Sequence, residues 1–183
     1  MQLLGAWNHR INLVGPGSPE EWWSRHIDDS LQLVPLLPPG DGPIADLGSG
    51  GGFPGLVLAL ALDRPVHLVE SDQRKCAFLR EAIRAIGLHN ATVHAVRIEA
   101  VDLPPLAVIT ARALAPLSQL VGHAAALLAP DGVALFPKGR NAEAELTAAA
   151  TRWHMTTERF ASRTDPEATI FRIRNIRPAH PLA

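Results

Sequence analysis

The spacing of apolar positions changes near residue 44. Upstream, Trp23, Ile27, Leu31 and Val34 recur at helical intervals, which predicts a helix with these four facing a core. Ser18-Pro19-Glu20-Glu21 opens it as a capping box, with serine at the N-cap, proline at the first helical position and glutamate at the third. Pro35 and Pro38-Pro39 end it, and a turn at Val14-Gly15-Pro16-Gly17 separates it from the opening stretch Leu3 to Leu13. Downstream, short apolar runs alternate with longer amphipathic ones. Ile44–Leu47, Val66–Glu70, Ala91–Val96, Leu106–Thr110 and Gly132–Pro137 read as strands; Pro54–Leu62, Gln73–Gly87, Pro116–Leu128 and Asn141–Thr151 read as helices. In Gln73–Gly87 the stripe is Cys76, Leu79, Ile83 and Ile86, with Gly87 as the C′ residue. This alternation predicts an α/β fold with a mostly parallel, doubly wound sheet. His154–Phe160 and Thr169–Ile176 read as an antiparallel hairpin closing its edge. There Arg172 and Arg174 alternate with Ile173, and charges on an edge oppose sheet-to-sheet pairing. The expected organisation is one domain over 1–183, with an N-terminal helical segment at 1–40, a core at 44–176 and a loose tail from Pro178 to Ala183.

Composition changes this picture little. At 47% hydrophobic and 19% charged residues, 183 residues suffice for one real core. A formal net charge of −1 gives no global basic field, so a nucleic-acid partner must be met by a local patch. The single cysteine, Cys76, excludes an internal disulfide framework, and its place in an apolar stripe argues against a nucleophile. Neither a signal peptide nor a membrane-length apolar run is visible, which leads us to expect a soluble cytoplasmic protein. The histidines do not cluster with carboxylates at ligand spacing, so no metal is expected.

The chemistry concentrates in Asp46-Leu47-Gly48-Ser49-Gly50-Gly51-Gly52-Phe53-Pro54-Gly55. An apolar strand runs into glycines, and Pro54 suits the first position of a helix, so this is a strand-to-helix ligand loop. Gly50-x-Gly52-x-x-Gly55 matches the dinucleotide fingerprint by letter, in which a helix N-terminus holds a pyrophosphate. The whole stretch fits better as Asp-x-Gly-x-Gly-x-Gly, which resembles the nucleoside loop of class I S-adenosylmethionine-dependent methyltransferases. An acid there takes the ligand's ammonium or orders the loop, whereas beside a pyrophosphate it would repel. Glu70, closing the second strand, stands where Rossmann-like sheets place the acid that accepts from ribose hydroxyls. That acid serves a nicotinamide dinucleotide equally well. An oxidoreductase, or a methyltransferase acting on a small molecule or protein, therefore stays open at this point.

Further segments narrow the choice. Trp7-Asn8, Asn12-Leu13, His26 with Asp29-Ser30, the glycine loop, Glu70-Ser71, Arg74-Lys75, Phe78-Leu79, Arg97 with Glu99, Arg112-Ala113 and Lys138-Gly139 follow one another in an order that resembles the bacterial ribosomal RNA small subunit methyltransferase G family, formerly glucose-inhibited division protein B. The resemblance implies a Rossmann-like class I methyltransferase. It implies methylation of guanine N7 at position 527 of 16S ribosomal RNA, on an assembled or nearly assembled 30S subunit, with S-adenosylmethionine as cofactor, by a monomer. Carried over residue by residue, it implies that Asp46, Gly48, Gly50, Phe53, Glu70, Ser71, Ile98, Glu99 and Arg112 hold the cofactor. His26, Arg97, Lys138 and Arg140 are left to face RNA, with Arg97 and Lys138 on phosphates. No residue is implied as general acid or base, since guanine N7 has a free in-plane lone pair and no proton to lose. The chain departs from the family pattern at Val14, where threonine is usual, and in a shortened N-terminal helix.

Overall fold

A computed structural model describes residues 1–180. Seven strands form one sheet: β1 Ile44–Leu47, β2 Val66–Val69, β3 Ala91–His94, β4 Leu106–Thr110, β5 Leu128–Lys138, β6 Trp153–Ala161 and β7 Thr169–Pro178. Their order is β3-β2-β1-β4-β5-β7-β6. The first five are parallel, with Ile44 level with Val66 on one side and Val108 on the other, while β7 runs antiparallel to both β5 and β6. Because β4 lies beside β1, the chain reverses direction across the sheet after β3, and the crevice at the carboxyl ends of β1 and β4 is the switch point where such sheets bind ligands.

Helices cover both faces. Leu56 and Leu58 of α4 (Gly55–Ala61) and Phe78 and Leu79 of α5 (Gln73–Ile86) pack on one face, joined by Leu4 of α1 (Gln2–Asn8) and by Leu33. Leu117, Leu120 and Val121 of α6 (Leu117–Leu127) and Leu146 and Ala149 of α7 (Ala142–Ala150) pack on the other. Both faces of the central strands are thus dry, which is why β1 reads as a continuous apolar run broken only by Asp46.

The N-terminal segment departs from the sequence expectation. The capping box forms, with Ser18 and Glu21 exchanging side-chain and backbone hydrogen bonds at the start of α2 (Pro19–Trp22). Residues Trp23–Asp28 then wind as a π-helix before α3 (Asp29–Leu31). The wider turn shifts the inward face: His26, Ser30 and Leu33 are buried, whereas Trp23 and Leu31, predicted for the core, are 53% and 41% exposed. Ile86, assigned to the α5 stripe, is likewise exposed, and Phe78 and Ala82 take its place beside Cys76 and Leu79. Pro54 caps α4 and is not its first residue. The basic strand β7 is not an edge: it lies between β5 and β6, and Arg172 and Arg174 both pair with Glu158 of β6, at 3.0 and 3.1 Å. Of the tail expected to be loose, Pro178 closes β7, and residues 181–183 lie outside the described residues.

Candidate nucleoside site and acceptor cleft

The glycine loop is built by the strand that precedes it. The Gly48 and Ser49 amides donate to the Val69 carbonyl at 2.8 and 3.0 Å, continuing the β1–β2 ladder past its last pair, and the Ser49 hydroxyl donates to the Asp46 carbonyl at 2.8 Å. The chain then turns through Gly48 at φ 66 and Gly52 at φ 86, conformations that only glycine adopts at little cost. Asp46 is fully buried beneath the turn. Its Oδ2 accepts from the Gly55 amide at 3.1 Å, which ties β1 to the start of α4, and its Oδ1 has no partner among the described residues. The N-terminal segment backs the loop: Asn8 Oδ1 accepts from the Leu13 and Val14 amides at 2.9 and 3.0 Å and so holds that turn against Gly51.

Glu70 stands opposite, at the tip of β2. It is 8% exposed; Oε2 accepts from the Gly50 amide at 2.9 Å and Oε1 from the Asp72 amide at 2.8 Å. One carboxylate therefore joins the glycine loop to the N-cap of α5, where Asp72 accepts from Arg74 and Lys75 amides. A cavity of about 380 Å³ opens over it, walled by Gly48, Gly50, Ser71, Ile98 and Glu99. Ile98 and Glu99 are delivered by a single 3₁₀ turn, Ile98–Ala100, after β3. The opposite wall is the bend after β4, where Ala113 sits at φ 52 and Leu114 covers Gly48 so closely that a Cβ there would lie 2.5 Å from Leu114 Cδ1.

A second cavity, of about 590 Å³, adjoins the first across Ala113 and is lined by Arg25, Asp29, Arg112, Lys138 and Thr164. Two of these three cations are answered internally. Arg112 pairs with Asp29 at 3.1 Å and Lys138 with Glu145 at 2.7 Å, and Lys138 also donates to the Ala115 carbonyl at 2.9 Å. Arg112 further donates to the Arg25 carbonyl at 2.8 Å and to His26 Nδ1 at 2.7 Å, and its guanidinium lies 5.7 Å from the centre of the Phe53 ring. His26 stacks on that same ring at 4.8 Å. Phe53 is thereby packed against an imidazole and a guanidinium that are hydrogen-bonded to each other, the one from the π-helical turn and the other from the bend just after β4.

Of the residues singled out from sequence, Gly48, Gly50, Glu70, Ser71, Ile98, Glu99 and also Arg97 share the first cavity. Asp46 is buried beneath the glycine turn, while Phe53 and His26 line neither cavity and pack against Arg112, which lines the second. Arg97, expected at an RNA phosphate, lines the first cavity. Lys138 was expected at a phosphate too, yet its side chain is only 10% exposed and is spent on Glu145. Arg140 lines neither cavity and pairs with Glu167 at 2.8 Å on the surface. Sequence reasoning missed Asn8, Leu114 and Thr164 as site residues. Asn8 and Asp29 were visible as fragments of the family pattern, but no periodicity marks Thr164, whose partner is 135 positions away. Among the described residues no group of three or more metal-ligating side chains is present.

Burial sets the titration of two groups beneath the site. It pushes the Asp46 carboxyl up from 3.8 to about 7 and, assisted by Arg112 and Arg25, takes His26 down from 6.5 to about 4. Their linkage terms have opposite signs. Folded Asp46 keeps a proton that the unfolded chain releases between pH 4 and 7, so its stabilising term is full below pH 4 and lost as pH rises to about 7. Folded His26 refuses a proton that the unfolded chain binds between pH 6.5 and 4, so its term is lost on acidification. Thermal unfolding of the wild type between pH 4.5 and 6.5 should therefore vary less than either variant. Relative to wild type, His26→Gln should gain stability on acidification across this range and Asp46→Asn should lose it, each curve departing from wild type by about 2 kcal/mol. Parallel pH profiles for the two variants would rule this assignment out.

A parallel sheet reversed beside β1, a glycine loop feeding α4 and an acid at the tip of β2 define the fold of class I S-adenosylmethionine-dependent methyltransferases. A solved S-adenosylmethionine-dependent methyltransferase from Aquifex aeolicus superposes with a TM-score of 0.66, covering 85% of this chain and 93% of its own at 11% identity. The chain belongs to the rRNA small subunit methyltransferase G family, whose model matches residues 1–167. It is 59% identical over 95% of its length to the ribosomal RNA small subunit methyltransferase G of Granulibacter bethesdensis, covering 81% of that protein. With that of Gluconobacter oxydans it shares 56% identity, over 93% of this chain and 88% of the relative.

Proposed function

We propose that this chain methylates N7 of guanine 527 in 16S ribosomal RNA, taking the methyl group from S-adenosylmethionine. Membership of the methyltransferase G family carries the assignment to a 16S rRNA guanine methyltransferase that uses this cofactor. The residues present fit such a ligand: a carboxylate at the β2 tip facing a cavity of about 380 Å³, glycines where side chains would fill it, and a buried acid with one unpartnered oxygen under the loop. Glu70 would take the ribose hydroxyls, Gly48, Gly50 and Ser71 would let the backbone approach, and Ile98 and Glu99 would flank the adenine. Phe53, braced by His26 and Arg112, would stand at the methionine end.

When bound, the cofactor supplies an electrophilic methyl on a sulfonium. The chain's own part is to bind, orient and exclude water. N7 carries no proton, so none of these side chains has to act as a base. The base becomes cationic on methylation, and the cleft suits that change: its two most enclosed cations, Arg112 and Lys138, are each already neutralised by a carboxylate. Uncompensated charge beside N7 would oppose the transition state. Arg97 and the exposed Arg140 are left for phosphates. We read the chain as one domain, supported by the single sheet, working as a cytoplasmic monomer on the 30S particle; among the described residues no helix is long and apolar enough to cross a membrane.

The test is to incubate the protein with methyl-labelled S-adenosylmethionine and 30S subunits lacking this modification, then digest the RNA. Label in 7-methylguanosine at position 527 is the expected result. Label in another nucleoside, or none while the cofactor still binds, would send the search to a different acceptor.

A further inference from the structure

The acceptor cleft has two walls from distant parts of the chain. One is the N-terminal helical segment with Arg25; the other is the loop 162–168 between β6 and β7. A single carboxylate reaches across. Asp29 Oδ2 holds Arg112 at 3.1 Å, while its Oδ1 accepts from the Thr164 hydroxyl at 2.7 Å and from Gln32 Nε2 at 2.7 Å. Gln32, itself 5% exposed, accepts the Arg163 amide at 2.8 Å through Oε1. Gln32 Nε2 also donates to the Ser162 hydroxyl at 3.2 Å, so the loop is sewn to the helical segment at three consecutive residues, Thr164 through Asp29 directly and Ser162 and Arg163 through Gln32, which Asp29 holds.

We propose that Asp29 is a positioning residue for the RNA acceptor, fixing Arg112 in the cleft as a neutralised donor and holding the 162–168 loop as the wall that receives the base. With Nη1 committed to Asp29 and the Arg25 carbonyl and one Nη2 proton committed to His26, the guanidinium keeps its Nε–H and the second Nη2–H without a protein acceptor among the described residues. A guanine offers O6 beside N7, and an arginine held in a fixed plane can donate to O6 alone, which orients the base and leaves the N7 lone pair free to attack. A free guanidinium there would add charge beside a base that becomes cationic; the Asp29 carboxylate removes it. Were the pair only an anchor for folding, apolar packing would serve as well at a half-buried site, since the cost of desolvating two charges cancels most of their attraction.

The inference rests on the proposed rRNA reading, and Asp29→Asn tests both. Asparagine keeps an Oδ1 for Thr164 and Gln32 but loses the charge opposite Arg112. On unmethylated 30S subunits its KM should rise about tenfold and its kcat should fall, while the Kd for S-adenosylmethionine stays within about twofold of wild type. Thr164→Val, which leaves Arg112 paired and releases the loop, should raise KM alone. A wild-type KM in both variants overturns the proposal, as does a parallel loss of cofactor affinity and melting temperature, the mark of a purely structural carboxylate. Wild-type enzyme that transfers no label to RNA overturns the functional reading, and this inference with it.

Discussion

Glu70→Ala is expected to weaken S-adenosylmethionine binding at least about 100-fold, the largest loss for any single residue of the nucleoside site. Two effects add. The substitution removes the acceptor that faces the cavity from the tip of β2, and it strands the Gly50 and Asp72 amides, which donate to the two carboxylate oxygens at 2.9 and 2.8 Å. A backbone donor left unpaired in a part-buried site costs its full desolvation, and here each belongs to a wall of the cavity: the glycine loop on one side, the N-cap of α5 on the other. Glu70→Gln separates the two effects. Its carbonyl replaces one acceptor, but its NH2 meets the other backbone N–H head on, so an intermediate loss of about tenfold is expected. Titration calorimetry on the folded variants measures both. Binding of Glu70→Ala within threefold of wild type would mean that this cavity does not hold the cofactor.

Glu70 was legible in the sequence because its position is set by chain order alone: an acid closing the strand after a glycine loop lands at the tip of β2 whatever else the fold does. The strands β1 and β4 and the capping box at Ser18 were legible for the same reason, each being written in adjacent residues. The N-terminal segment was not. Apolar spacing assumes 3.6 residues per turn, and the π-helical stretch Trp23–Asp28 breaks that assumption, so the register slips and His26 and Ser30 enter the interior where Trp23 and Leu31 were expected. The hairpin was read as a pair, but nothing in β6 or β7 says which of them joins β5; the sheet order places the basic strand inside, where Glu158 compensates Arg172 and Arg174.

The same distinction explains the cleft. Arg112 and Lys138 were visible as cations at strand ends, the first expected at the cofactor and the second at an RNA phosphate. What each does depends on its partner: Asp29 lies 83 positions from Arg112, and Glu145, although close in sequence to Lys138, reaches it only because α7 folds back over the end of β5. Pairing makes of these two cations a neutral wall. Local motifs thus located the nucleoside half of the site, whereas the acceptor half is made of long-range pairs.

Gly55→Ala is expected to destabilise the fold by about 3 kcal/mol, against the direction that helix propensity gives. At an exposed helical position alanine gains up to about 1 kcal/mol over glycine. Here α4 begins directly above the sheet, and a Cβ on Gly55 would lie 2.2 Å from Leu68 Cδ2, 2.7 Å from Asp46 Oδ2 and 2.8 Å from Asp46 Cβ. Leu68 and Asp46 are 0% and 1% exposed, in β2 and β1 respectively, so neither has space to withdraw. Relief must come from lifting α4, and that lengthens the 3.1 Å bond from the Gly55 amide to Asp46, leaving a buried carboxylate with both oxygens unpartnered. The loop would move with the helix, so cofactor affinity should fall with stability. Gly15→Ala is the control, for a Cβ there meets nothing within 4 Å and the change should stay within about 0.5 kcal/mol. Urea unfolding of both variants decides the matter. A Gly55→Ala protein as stable as wild type would show that α4 can lift off the sheet without loss, and the close approach of helix to strand would then not be what demands glycine at this position.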